Sequence, residues 1–177
     1  TIGAANNSGN ISLNNPVSLA GAMTIFGGRV NIMDTLSLSS SNNLTITSIN
    51  TVIIGTTTVG GSATVNASGN FILGTNIALG TGFPLTASGG FTKTGTGTSY
   101  LFSNINTTNT AVTISGPVVV GNFNTSNAIT QINTNGGNIS IPGAVSAYSG
   151  TGREYMALVY ANLYDAVGGA VTGSTTD

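Results

Sequence analysis

Apolar-polar-apolar triplets recur along the chain at short intervals: Ile11-Ser12-Leu13, Val17-Ser18-Leu19, Met23-Thr24-Ile25, Val30-Asn31-Ile32, Leu36-Ser37-Leu38 and Leu44-Thr45-Ile46. In an extended backbone successive side chains point to opposite sides, so each triplet reads as a very short strand with one buried face. Turn formers stand between them, as in Asn14-Asn15-Pro16, Gly27-Gly28 and the run Ser39 to Asn43. These residues tolerate positive φ or make local side-chain hydrogen bonds. A chain cut this finely into strands must find an architecture that tolerates short ones.

The second half continues in a similar style with Ala63-Thr64-Val65, Phe71-Ile72-Leu73, Ile77-Ala78-Leu79, Val112-Thr113-Ile114, Val118-Val119-Val120 and Ile139-Ser140-Ile141, some of them apolar throughout. The opening Gly9-Asn10-Ile11-Ser12-Leu13 returns nearly intact as Gly137-Asn138-Ile139-Ser140-Ile141. Related segments such as Gly28-Arg29-Val30-Asn31-Ile32 follow at intervals near twenty residues, the period of a solenoid coil, although Asn43-Leu44 arrives early. A β-sandwich, in the manner of a pilin subunit that polymerises by strand donation, prefers longer antiparallel strands and tight hairpins. Asn135-Gly136 is the only Asn-Gly pair. The triplets therefore favour an all-β parallel β-helix over the sandwich, with the repeats spanning residues 1–147.

The tail breaks the pattern. From Arg153 to Val167 there is no Gly or Pro, and Met156, Val159 or Tyr160, Leu163 and Val167 recur at three or four residues. That spacing predicts a helix capped by Ser149 or Thr151, covering the last coil, with a strand paired to a neighbouring subunit as the competing reading. Residues 148–167 form this cap or interface segment, and 168–177 a flexible tail. Tyr148, Arg153, Tyr155, Tyr160 and Tyr164 are the candidate contact residues, because Tyr buries area at low entropic cost. A cap packing on its own coil accounts for them equally well.

Composition narrows function further. Gly 26, Thr 28, Asn 22 and Ser 19 make up more than half of 177 residues, yet 40% of the chain is hydrophobic, which a disordered polar linker lacks. Only Arg29, Lys93 and Arg153 are basic and only Asp34, Glu154, Asp165 and Asp177 acidic, and there is no His, Cys or Trp. A nucleophilic triad lacks its imidazole, zinc lacks its ligands, and calcium lacks clustered carboxylates. Polysaccharide cleavage, common on β-helices, needs two or three carboxylates in one groove, and Asp34 and Glu154 would have to meet by accident of coil geometry. Three scattered cations neither bind nucleic acid nor hold an anionic membrane, and no apolar stretch approaches the ~20 residues that span a bilayer. The expectation is a protein without enzymatic activity or cofactor. The chain opens on Thr1 with no signal-like segment, which reads as a processed product or an excised piece.

Gly9-Asn10-Ile11-Ser12-Leu13 through Val17-Ser18-Leu19, with Asn43-Leu44-Thr45-Ile46, resemble repeats of filamentous-haemagglutinin-type adhesins exported by two-partner secretion. Gly90-Phe91-Thr92-Lys93-Thr94-Gly95-Thr96-Gly97-Thr98 is similar to the Lys-Thr-Gly-x-Gly-Thr repeat of autotransporter passenger domains. The likeness covers roughly residues 1 to 147. It implies a right-handed parallel β-helix at a bacterial surface, acting in adhesion, aggregation or biofilm, and it carries over no catalytic residue. Self-association, rod to rod or as a homopolymer, and a glycan or host-surface ligand are the expected partners.

Four sharper readings stay behind plainer ones. Thr-x-Thr pairs at Thr45/Thr47, Thr56/Thr58, Thr92 through Thr98 and Thr108/Thr110 suggest ranks that order water and bind ice. Their spacing along the chain is irregular, so strand propensity and coil stacking explain them more simply. Seven Asn-x-Ser/Thr sequons, at Asn6, Asn10, Asn43, Asn66, Asn106, Asn124 and Asn138, arise by chance in such a composition. Lys93 with Glu154 and an Asn has the makings of an isopeptide crosslink, but one Lys offers little choice of site. Gly95-Thr96-Gly97 resembles a phosphate loop only until the missing Gly-Lys-Ser/Thr is noticed, and reads as a turn.

Overall fold

The computed structural model describes residues 1–74, 83–121, 129–147, 155–159 and 171–172. Each of six successive turns of the chain contributes three strands. The first coil carries β1 (Ile11–Leu13), β2 (Val17–Leu19) and β3 (Met23–Gly27), and the second β4 (Val30–Ile32), β5 (Leu36–Leu38) and β6 (Leu44–Ser48). The third has β7 (Val52–Ile54), β8 (Thr57–Val59) and β9 (Ala63–Ala67), and the fourth β10 (Phe71–Leu73), β11 (Leu85–Ala87) and β12 (Phe91–Thr94). Next come β13 (Ser99–Leu101), β14 (Ile105–Thr107) and β15 (Val112–Ile114), then β16 (Val118–Val120), β17 (Ile129–Asn133) and β18 (Ile139–Ser140). The seventh carries β19 (Val145–Ala147) and β20 (Tyr155–Val159), and β21 (Val171–Thr172) lies one coil beyond β19.

Every strand pairs in parallel with its counterpart one coil away, which builds three sheets. Sheet one runs β1-β4-β7-β10-β13-β16-β19-β21, sheet two β2-β5-β8-β11-β14-β17-β20, and sheet three β3-β6-β9-β12-β15-β18. The fold is a parallel β-helix, and the hairpin-paired sandwich is overturned: strands of three residues gain little from one antiparallel partner, whereas a solenoid gives each a partner above and below. Inward side chains meet their own kind. Leu44 stacks on Met23, and Val65 on Ile46. On sheet one Val30, Val52, Phe71, Ser99, Val118 and Val145 follow one another in register. Each fully buried aliphatic side chain contributes about 1.5–3 kcal/mol, which compensates for the shortness of any one strand. Phe71 and Phe91 fill the centre of the fourth coil, ring centroids 5.6 Å apart.

Coil length varies, and the large insertions fall in one place. Leu13 is followed on sheet two by Val17 and Leu101 by Ile105, but Leu73 only by Leu85, Val120 by Ile129 and Ala147 by Tyr155. All three long connections cross the corner between sheets one and two, opposite sheet three. Glycines line the corner that leads from sheet three back to sheet one. A Cβ on Gly97 would strike the carbonyl oxygen of Gly69, one on Gly116 that of Gly97, and one on Gly143 that of Gly116. The backbones there approach too closely for any side chain.

The helix expected across Arg153 to Val167 gives way to strand where the tail is described. Tyr155–Val159 form β20, paired from Ile129↔Tyr155 to Asn133↔Val159. A spacing of three or four among so few residues is a weak signal, and the free edge of β17 offers backbone partners to aromatic and β-branched residues with strand preference. The partner of β20 in this chain is the preceding coil. Arg153, Glu154 and residues 160–170 lie outside the described residues.

Candidate functional site

The outward positions of the three sheets make up much of the described surface, and register sets the chemistry of each column. On sheet three Thr24 pairs with Thr45, Thr45 with Thr64, Thr64 with Thr92, Thr92 with Thr113 and Thr113 with Ser140. Six coils thus present one unbroken column of half-buried hydroxyls. Two residues along each strand runs a second column, Phe26, Thr47, Asn66 and Thr94. The irregular Thr spacing of the sequence becomes regular in space because extra residues are inserted at the far corner and leave sheet three in register.

Sheet two carries a second polar column: Ser18, Ser37, Thr58, Thr86, Asn106 and Asn133. Sheet one differs. Its outward column begins with Ser12 and Asn31, whose amide donates to Ser12 Oγ at 3.3 Å, and continues as Ile53, Ile72, Tyr100 and Val119 before Ser146. Ile53 is only 8% exposed although it points outward, and Tyr100 stacks on Phe102 with centroids 6.1 Å apart. Nothing in the local sequence separates these outward apolar residues from inward ones, since Val52-Ile53-Ile54 and Val118-Val119-Val120 have lost the alternation.

Polar groups that enter the interior cap the corners. Ser48 Oγ donates to Gly28 O at 2.7 Å and accepts from Asn50 N at 3.2 Å. Thr107 and Thr134 each donate to a carbonyl three residues on, those of Thr110 and Gly137. Lys93 is the extreme case. It faces inward between Val65 and Ile114, is 0% exposed, and donates to the carbonyls of Gly95 at 3.0 Å, Gly97, and Ser115 at 2.9 Å. Burial holds its amine below the ordinary lysine range. With three hydrogen bonds already made to backbone, Lys93 serves as a corner brace. Glu154, the other member of the crosslink considered from sequence, lies outside the described residues.

Among the described residues, single asparagines tie neighbouring coils. Asn42 Nδ2 donates to Ala20 O at 3.0 Å, Asn43 Oδ1 accepts from Ser62 N at 2.9 Å, and Asn104 Oδ1 accepts from Gln131 N at 2.8 Å. Arg29 Nε donates to Asn31 Oδ1, and Asp34 Oδ1 accepts from the Thr35 amide. Among the described residues no three His, Cys, Asp or Glu gather where a metal ion would sit.

Of the candidate contact residues, Tyr155 opens β20, and Tyr148, Arg153, Tyr160 and Tyr164 lie outside the described residues. That outward Ser, Thr and Asn stack into polar columns follows from the coil itself; which residues share a column, and the apolar stripe at Tyr100, do not follow from the local sequence. The signal that finds them is pairing register, which becomes visible only when the long connections are set aside. Compared with known proteins, the chain matches no protein-family model, no curated protein and no solved structure.

Proposed function

We propose that this chain is a non-enzymatic structural and adhesive rod, a section of an extracellular surface adhesin or a subunit of a surface filament. The observation that carries this reading is the pair of unbroken neutral columns on sheets two and three, from Ser18 to Asn133 and from Thr24 to Ser140. Such columns offer many weak, repeated hydrogen bonds to a sugar coat, to a substratum or to an identical rod, and avoid stacking like charges coil on coil. The backbone ladders between coils resist pulling, because a load along the axis is shared by three parallel sheets. The haemagglutinin-like and passenger-like segments point the same way, toward the outer surface of a bacterium.

Electron microscopy of the native material tests the reading. Thin rods or filaments that incorporate this chain support it. A protein that stays monomeric at high concentration, appears in no fibre and binds no cell surface or glycan array removes it, as does turnover of a substrate that follows the purified chain.

A further inference from the structure

The sheet-three face combines features that the two other faces lack. Its hydroxyl column, Thr24, Thr45, Thr64, Thr92, Thr113 and Ser140, is held in register over six coils. Both corners that flank it are short throughout, and the three long connections all cross the opposite corner. Its one charged residue, Lys93, is turned wholly inward. We infer that this face is an ice-binding surface, its ligand an ordered lattice of water.

The inference rests on chemistry and repeat. Coil spacing sets about 4.8 Å between hydroxyls down the column, and Thr47 and Thr94 of the second column stand roughly 6.6 Å across it, so a regular rank of hydroxyls is flanked by further ones on two coils. Each threonine offers a hydroxyl that exchanges hydrogen bonds with water and a methyl that makes none, so the column holds some waters and leaves the water over its methyls bonded to other water. A surface charge would impose its own hydration shell on that lattice, and the described part of this face presents none. One hydroxyl-to-water bond is worth little net, because it replaces another such bond. A rigid ligand therefore has to be met by many hydroxyls already in place, and a solenoid face provides them without an ordering cost.

A pyranose polymer fits less well, since sugar rings stack on aromatic platforms and Phe26, at one end of the second column, is the only aromatic in the two columns. Sheet two is the natural contrast. Its column passes from Ser through Thr to Asn, which breaks the methyl-hydroxyl repeat, and it borders the corner with the long connections.

The experiment is ice-affinity partitioning and thermal hysteresis of the purified full chain. The expected result is enrichment in the ice fraction, faceted crystals, and loss of both in Thr64→Tyr/Thr92→Tyr, with the far-UV spectrum unchanged. Thr58→Tyr on sheet two retains both. A wild-type chain that partitions no better than a carrier protein overturns the inference whatever the variants do, and so does a folded Thr64→Tyr/Thr92→Tyr that keeps full activity. Microscopy of filaments is indifferent to either outcome, so the inference and the rod reading fail separately.

Discussion

The carbonyl oxygen of Ser115 accepts a hydrogen bond of 2.9 Å from Lys93 Nζ across the step from one coil to the next, while Gly95 and Gly97 hold the same ammonium within its own turn. One side chain thereby joins three backbone carbonyls at the corner where the glycines of successive coils nearly touch. Lys93→Met keeps the length and apolar stem but removes every donor. Unsatisfied buried acceptors cost about 1–3 kcal/mol, offset in part by the desolvation that the cation no longer suffers. The expected outcome is a net loss of roughly 1–2 kcal/mol, read as a lower urea midpoint at unchanged slope.

The same residue gives the fold a dependence on alkaline pH. Burial places the folded-state pKa of Lys93 below its ordinary 10.5. Between those two values the unfolded chain binds more protons than the folded one, so stability rises with pH through that window. Below the folded pKa both states are protonated and the term is constant, at its least favourable. Urea midpoints measured from pH 7 to 10 should climb in the wild type relative to Lys93→Met. Parallel curves for the two proteins would show that Lys93 does not titrate within the fold.

Gly97 and Gly21 separate crowding from glycine content. A Cβ at Gly97 would land on the carbonyl of Gly69, backbone that cannot swing aside, whereas nothing lies within 4 Å of one at Gly21. Gly97→Ala should destabilise by about 1–3 kcal/mol as an overpacked site. Gly21→Ala, on an open corner, should be neutral or stabilising by up to about 1 kcal/mol through the unfolded state. Thermal melts of the two variants give opposite signs if the close coil-to-coil approach is real.

Ser99 occupies an inward position that its column otherwise fills with Ile, Val or Phe, and its hydroxyl finds no hydrogen-bond partner among the described residues. Ser99→Val restores the apolar stack between Phe71 and Val118. Adding buried methyl surface and removing a desolvated hydroxyl should stabilise the protein by about 1–2 kcal/mol. Calorimetry that shows a lower melting temperature would mean that the hydroxyl has a role at this corner.

The coil was legible in the sequence because an inward-outward-inward triplet such as Leu36-Ser37-Leu38 admits few arrangements once strands are so short. That outward Ser, Thr and Asn stack coil on coil was legible for the same reason, but which of them share a column was not. Thr64 and Thr92 are register partners although twenty-eight residues apart, because the connection from Leu73 to Leu85 is longer than its counterparts, and sequence separation hides that pairing. Ile53 and Val119 escaped for the opposite reason, since runs of β-branched residues carry no period to say which of them faces out. Tyr155 to Val159 misled because a few apolar residues satisfy a helical spacing by accident, and the competing term, an open parallel strand edge, belongs to tertiary structure.

Charge patterning on the Thr column tests why the surface is so neutral. Thr45, Thr64 and Thr92 stand directly over one another on three successive coils. A single Thr64→Glu meets only hydroxyls and should change stability by less than about 0.5 kcal/mol, as an ordinary surface substitution does. The triple Thr45→Glu/Thr64→Glu/Thr92→Glu stacks three like charges at about 4.8 Å, each neighbouring pair costing roughly 0.2–1 kcal/mol. Its loss should therefore exceed the sum of the three single changes. Salt should restore part of the difference, because these half-exposed groups are screened at high ionic strength. Denaturation at low and at 1 M salt measures both effects. An additive, salt-independent loss would show that the column's neutrality does not come from coil-to-coil repulsion.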